Sequence, residues 1–292
     1  MDDTSPLSID RLLDAAPRHP RRIVCLTEET TDTLYRLGAG DRVVGVSGYT
    51  VFPPEARAKP RISAFTSARI DKILELNPDL VLGFSDLQAG IASELIERGV
   101  PVCVFNQRSI AGILQMIGAL GGIVDRSEEA AALVEELAKH LREVASRAAT
   151  RATRPRVFLE EWNDPLISGI RWWSELVEIA GGTDICRDVR DAQAASGRVV
   201  RPEDIAGRDP ELVIASWCGK KASERLIVER PGWQDVTAVR NDQLYELKSA
   251  YILQPGPVAL TDGLRQLEAI VSAVATRQTL PRRRVGELRS AE

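Results

Sequence analysis

The sequence predicts an α/β protein built of two similar three-layer lobes, each with a mostly parallel sheet, joined by one long rigid helix. Three observations predict it. Continuous runs rich in Val, Ile and Leu alternate with helical patterns, as expected of parallel strands covered on both faces. A strand entry is repeated: Asn77-Pro78-Asp79-Leu80-Val81-Leu82 is echoed by Asp209-Pro210-Glu211-Leu212-Val213-Ile214, each copy following a helix and opening a strand. The spacing is repeated too, with 55 residues from Ile23 to Pro78 and 53 from Val157 to Pro210. Between the two copies lies a single unbroken helical stripe.

The elements follow in order. Residues 1–21 are a polar N-terminal tail. Residues 22–126 form the first lobe, with strands expected at 22–26 (RIVCL), 42–47 (RVVGVS), 79–84 (DLVLGF) and 100–105 (VPVCVF). Helices are expected at 27–37, at 68–76, where Ile70, Ile73 and Leu74 share a face, and at 109–120. Residues 127–153 are the linking helix. Ser127 with Glu128 and Glu129 suits a helix N-terminus, and Leu133, Leu137, Leu141, Val144 and Ala148 line one face. With no Gly or Pro before Pro155, some 25 residues would span roughly 38 Å, a strut and not a hinge. Residues 154–276 form the second lobe, with strands at 156–160 (RVFLE), 211–216 (ELVIAS) and 243–247 (QLYEL) and a helix at 257–275. Residues 277–292 are a second tail, in which Arg282, Arg283 and Arg284 read as solvated charge.

Composition narrows the function. The 292 residues are 44% hydrophobic and 27% charged, an ordinary globular balance that argues against disorder. Lys+Arg 38 against Asp+Glu 42 leaves a net charge of −4, so a basic field for nucleic acid is absent. No apolar run approaches the ~18 residues of a membrane span, and no membrane insertion is expected. Two acids at the very start, Asp2 and Asp3, and no basic or apolar signal region in the first 22 residues predict that the chain as written stays in the cytoplasm. The chain has two histidines, His19 and His140, so a His-rich metal site or a Ser/His/Asp triad must use one of them. The four cysteines are scattered without a CxxC pair, and Cys25 and Cys103 read as small buried hydrophobes.

Enzyme signals are weak. GxGxxG after the first strand, GxxxxGK[ST] and GxSxG are all missing. Cys218, beside Lys220 and Lys221, is the best nucleophile candidate, but no histidine stands at a strand end to serve it. Glu28, Glu29, Glu160 and Glu161 follow the two lobe-opening strands. They read as a general acid/base pair or, more ordinarily, as helix-capping or ligand-contacting acids. No catalytic residue and no metal ligand is expected. Aromatics total only 5%, yet they gather beyond the carboxyl ends of the strands, where ligands of open α/β sheets sit. Tyr49, Phe65 and Phe84 stand there in the first lobe, and Trp162, Trp172, Trp217 and Tyr251 in the second. An aromatic cleft with few ionisable groups suits a large, flat, partly apolar ligand.

These residues resemble a family. Ile23–Leu26 with the helix at 28–37, Val44-Gly45-Val46-Ser47-Gly48-Tyr49 with Pro53-Pro54, IDKILELNPDLV at 70–81, Val157-Phe158-Leu159, Pro165 with Ser168-Gly169, and Ala180-Gly181-Gly182 are similar to the ABC-transporter solute-binding proteins with a helical backbone. The likeness covers about residues 22–275 and is closest to the cobalamin-binding branch. It implies a non-catalytic, monomeric protein holding a corrinoid between its lobes without protein ligation of the cobalt and without a required cofactor. Its implied ligand contacts are Tyr49, Phe65, Phe84, Trp162, Trp172, Trp217 and Tyr251. Phe65 and Phe84 stand where the branch has Trp. Siderophore- and haem-binding relatives share the scaffold, and a two-lobed tetrapyrrole chelatase is a further alternative. The resemblance also implies an ABC permease partner, met by acids on each lobe: Asp71 on the first, and on the second a residue within 224–235. If the gene starts further upstream, the implied location is the periplasm.

Overall fold

The computed structural model describes residues 19–278 together with Ile9, Leu280, Pro281, Leu288 and Arg289. The expectations for most of residues 1–21 and for Arg282–Arg284 lie outside the described residues. Each expected strand is present. The first sheet has six strands: β1 (Ile23–Cys25), β2 (Val43–Ser47), β3 (Arg61–Ala64), β4 (Ser67–Ala68), β5 (Leu80–Phe84) and β6 (Val102–Phe105), in the order β4-β3-β2-β1-β5-β6. All pairings are parallel except β3 with β4. The second sheet comprises β7 (Arg156–Asn163), β8 (Leu166–Ser168), β9 (Thr183–Asp184), β10 (Leu212–Ala215) and β11 (Leu244–Glu246). Its order is β11-β10-β7-β8, with β9 also on β7, and only β7 with β8 is antiparallel.

The apolar runs are continuous because both faces of each sheet are covered. Along β1, Ile23 and Cys25 join the large core shared with the linking helix, while Val24 and Leu26 join a separate outer cluster. Along β10, Leu212 and Ile214 enter the shared core, while Val213 and Ala215 enter the outer cluster of the second lobe. Successive side chains of a strand point to opposite faces, so a strand that is apolar at every position needs two cores.

The helices are α1 (Glu28–Arg36), α2 (Ile70–Glu75), α3 (Ala89–Glu97), α4 (Ile110–Ile123), α5 (Ser127–Ala149), α6 (Arg171–Ile179), α7 (Pro202–Gly207), α8 (Glu224–Val228), α9 (Thr237–Arg240), α10 (Ser249–Ile252) and α11 (Leu264–Ala275). The linking helix α5 is continuous over 23 residues and buries Ala130, Leu133, Leu137, Leu141, Val144 and Ala148. It stops before the expected 153. Arg154 precedes Pro155, and the residue before a proline is steered out of helical geometry. Arg147 and Arg151, at and just past its end, both pair with Glu268 of α11 and tie the strut to the second lobe. The helix expected at 257–275 is present over that span and widens into a π turn at Ala259–Gly263 before α11. At Gly263 the Tyr251 carbonyl oxygen would lie 2.3 Å from a Cβ, a contact only glycine permits.

The repeated strand entry folds into the same corner twice. Asn77 (φ 46°) and Asp209 (φ 44°) both take the left-handed conformation that Asn and Asp tolerate best among non-glycine residues. Arg22 Nε donates to the carbonyl oxygens of Leu76 and Asn77, at 3.0 and 3.1 Å, and the Asp79 carboxylate accepts from the Arg21 and Arg22 amides. In the second lobe Arg156 donates to the Asp209 carbonyl at 2.7 and 3.0 Å, and Glu211 accepts from the Arg156 amide.

Candidate ligand-binding cleft

A cavity of about 310 Å³ opens between the lobes at the carboxyl ends of both sheets. Its first-lobe wall is aromatic. Phe84 ends β5, buried, on the pleat side of Leu80 and Leu82. Gln88, fully buried, fixes it: its amide oxygen accepts from the Phe84 N–H at 2.9 Å, and its amide nitrogen donates to the Phe65 carbonyl, also at 2.9 Å. The two rings lie 6.4 Å apart. Trp172, in the first turn of α6, meets Phe84 edge-on at 6.5 Å, and its indole N–H donates to the Ile252 carbonyl at 2.8 Å. Tyr49, beyond β2, is 52% exposed at the mouth. The cavity thus brings together Tyr49, Phe65, Phe84 and Trp172.

The structure places the other three predicted residues elsewhere. Trp162 and Trp217 share the pleat side of Phe158 and Val213 and pack in the outer cluster of the second lobe. Trp217 is buried, its indole N–H donating to Glu160 at 3.0 Å. Trp162 is half-buried, donates to the Asp164 carbonyl at 2.9 Å and carries the Lys220 ammonium 4.3 Å from its ring centre. Tyr251 lies one layer behind the wall, its ring 5.2 Å from Phe52, while its neighbours Ser249, Ala250 and Leu253 face the cavity.

The four glutamates divide by the same pleat. Glu160 turns outward, with no exposed surface, and pairs with Arg230 at 2.6 and 2.8 Å. Glu161, one residue on, faces the cavity and pairs with Arg198 at 2.6 and 3.1 Å. Glu28 also lines the cavity, accepting from the Gln254 amide at 3.2 Å. Glu29 lies beneath it, one oxygen accepting from the Thr27 hydroxyl at 2.5 Å and the other without a partner among the described residues. Burial pushes the Glu28 carboxyl up to about 8, and charge on Glu29 adds to the effect; Glu29 is itself raised by burial. Both acids stand in the first turn of α1, where the helix dipole favours the ionised form by ~0.3–1 kcal/mol. Burial wins because desolvating a carboxylate costs several times that.

Cys218 stands on the cavity wall, and its thiol is pushed up, by burial first and then by Glu28 and Glu161. The lysine expected to activate it turns away, Lys220 bonding Asn163 at 2.7 Å over the Trp162 and Trp217 rings. The histidines are also elsewhere. His19 contacts the Ile123 carbonyl, and His140 lines a separate groove on α5. No group of metal-holding side chains occurs among the described residues. Sequence reasoning missed Arg108 and Arg198, which line the cavity from a loop and a single 3-10 turn, where a lone arginine reads as solvated.

The family model described as periplasmic binding protein matches residues 23–251. The chain belongs to the periplasmic binding protein family. It is 25% identical over 263 residues to YvrC, an ABC transporter substrate-binding lipoprotein of Bacillus subtilis, covering 86% of this chain and 79% of the relative. It is 27% identical over 209 residues to the vitamin B12-binding protein of Yersinia pestis, covering 70% of this chain and 72% of the relative. Its fold is shared with S. aureus IsdE complexed with heme, at a TM-score of 0.74 and 21% identity, covering 86% of this chain and 98% of the other. The cleft is therefore that of a solute-binding protein. No helix among the described residues is long and apolar enough to cross a membrane.

Proposed function

We propose that this chain is the corrinoid-binding component of an ABC-type uptake system, holding its ligand between the lobes without catalysis. One observation carries the reading: the cavity is lined by aromatics, and the cations among them face carboxylates. Tyr49, Phe65, Phe84 and Trp172 line it, while Arg198 is paired closely with Glu161 and Arg108 more loosely with the exposed Asp86. Such a cleft suits a large ring rimmed by neutral amides better than a haem with two carboxylates or a polyanionic ferric siderophore. The vitamin B12-binding relative supports the same class. A haem reading has one observation in its favour, the half-exposed Tyr49 phenol at the mouth. A chelatase reading has none, since both histidines lie away from the cavity.

In this reading the protein works as a monomer outside the cytoplasmic membrane and delivers its ligand to a permease. Asp71, exposed in the first turn of α2, is the proposed contact on the first lobe. Titration with cyanocobalamin, dicyanocobinamide, haem and a ferric siderophore tests the ligand. Corrinoids are expected to bind and to quench tryptophan fluorescence through Trp172. Tight binding of haem or siderophore, with neither corrinoid bound, would overturn the corrinoid assignment. Asp71→Lys is expected to reduce uptake with unchanged affinity, because rim charges govern encounter more than holding. Unchanged uptake would remove the docking role.

A further inference from the structure

Two guanidinium groups line the cavity, one from each lobe, and they are not equally satisfied. Arg198 is 1% exposed and is held by both oxygens of Glu161 and by the Ser168 carbonyl. Arg108, in the loop between β6 and α4, lies over the Phe84 ring with its guanidinium carbon 4.9 Å from the ring centre. Its Nη2 donates to Asp86 Oδ1 at 3.2 Å, and that carboxylate is 73% exposed. Water screens so open a pair, which therefore contributes little. Nε of Arg108 and Nε of Arg198 are both buried without a partner among the described residues, so the two differ in their counter-ions: a two-oxygen pair with Glu161 for Arg198 and one bond to an exposed carboxylate for Arg108. Burial lowers the guanidinium's pKa, the charge of Arg198 acts in the same direction, and Asp86 and Glu161 oppose them. The aromatic wall therefore holds one cation whose charge is incompletely matched and which lies over an aromatic face.

We propose that Arg108 is the anion-recognising residue of the cleft, and that it selects a corrinoid carrying its phosphodiester-linked nucleotide loop over a corrinoid stripped of it. This rests on the corrinoid reading above. A phosphodiester has a single negative charge and two terminal oxygens, matching one under-compensated guanidinium. Arginine meets phosphate through its planar fork, and charge-assisted bonds of this kind are about twice as strong as neutral ones. Contact with the Phe84 ring and with Asp86 restrains the guanidinium before the ligand arrives, which lowers the ordering needed on binding. A second or third anionic group would find Arg198 already engaged.

Cyanocobalamin and dicyanocobinamide, which lacks the nucleotide loop, test the proposal against wild-type protein, Arg108→Gln and Arg108→Lys. Wild type is expected to prefer cobalamin by roughly 10- to 100-fold, as one charge-assisted contact allows. The preference is expected to shrink as NaCl is raised from about 50 to about 500 mM, because salt screens the contact. Arg108→Gln is expected to weaken cobalamin more than cobinamide and so lose the preference, and Arg108→Lys to retain part of it. Equal wild-type affinities, or equal weakening of both ligands in Arg108→Gln, would overturn the proposal. Should Arg108→Gln fail to fold, the wild-type preference and its salt dependence decide the matter. Failure of wild type to bind either corrinoid would overturn the corrinoid reading and this inference with it, a result distinct from binding both equally.

Discussion

The two lobes are alike at one edge of their sheets and different at the other. At the amino edge, Arg22 and Arg156 cap the same left-handed corner in the same way, on Leu76 and Asn77 in one lobe and on Asp209 in the other. At the carboxyl edge the lobes diverge. The first directs Phe65 and Phe84 into the cavity. The second places Trp217 and Glu160 in a buried cluster with Arg230, whose guanidinium lies 4.6 Å from the Trp233 ring centre, and sends Trp172, Glu161 and Arg198 to the cavity. The duplicated plan is thus kept where it builds the sheet and altered where it meets the ligand, as expected when loops at strand ends carry function on a rigid frame.

The largest test of this comparison lies in the second lobe. Arg230→Ala should lower stability by ~3–5 kcal/mol in denaturant unfolding, because it leaves Glu160 buried and uncompensated. Trp217→Ala should cost a similar ~3–5 kcal/mol by emptying the same cluster, with ligand affinity changed far less. Loss of affinity at full stability in Trp217→Ala would break the contrast between the lobes.

The next effect is a pH dependence in the first lobe. The pKa values of Glu28 and Glu29 are raised in the folded state, so the native protein holds more protons than the unfolded chain. Their favourable contribution is full below the ordinary carboxylate range. It is lost as pH rises from there to about 8, the value to which Glu28 is raised. Glu29→Gln, which removes the acid whose second oxygen has no partner among the described residues, should flatten this slope and stabilise the protein at pH 8 by roughly 1–3 kcal/mol. A slope as steep as wild type in thermal or urea unfolding from pH 5 to 8 would assign the dependence to other groups.

Smaller still is the effect expected at the cavity wall. Phe65→Ala should weaken ligand binding by about 1 kcal/mol, roughly 5-fold, with less effect on stability than Trp217→Ala, since Phe65 is only half-buried. The smallest effects belong to the corners. Arg22→Ala and Arg156→Ala should each cost about 0.5–1.5 kcal/mol, and the two values should agree to within ~0.5 kcal/mol if the corners are equivalent. Unequal costs measured in the same denaturant series would show that the likeness stops at geometry.

The seven expected strands were legible because each sits in an apolar run of five or six residues, whereas the nine-residue helix α3 went unread. The short β3, β4, β8 and β9 were not, being two to four residues with no periodicity to read. The cleft was legible in part. Phe84 could be placed at a strand end, but whether a strand-end aromatic faces the cavity depends on pleat parity. Counting by twos from Phe158 groups Glu160 with Trp162 and apart from Glu161, yet nothing in the sequence says which group faces the other lobe. Arg108 sits in a loop and Arg198 ends a single 3-10 turn (Ala195–Arg198), places where charge is ordinarily solvated and leaves no local signal.

The sequence by itself determined the alternation of strand and helix, the duplicated corner and the unbroken strut, because each follows from neighbours a few residues apart. Only the tertiary structure decided which side chains meet across the cleft. Arg108 and Arg198 are 90 positions apart in the chain, and Glu28 and Gln254 are 226 apart. Their meeting, the neutralising burial of Glu28 and the incomplete pairing of Arg108 depend on how two lobes lie against one helix. Those are energies of desolvation and distance, which no local pattern encodes.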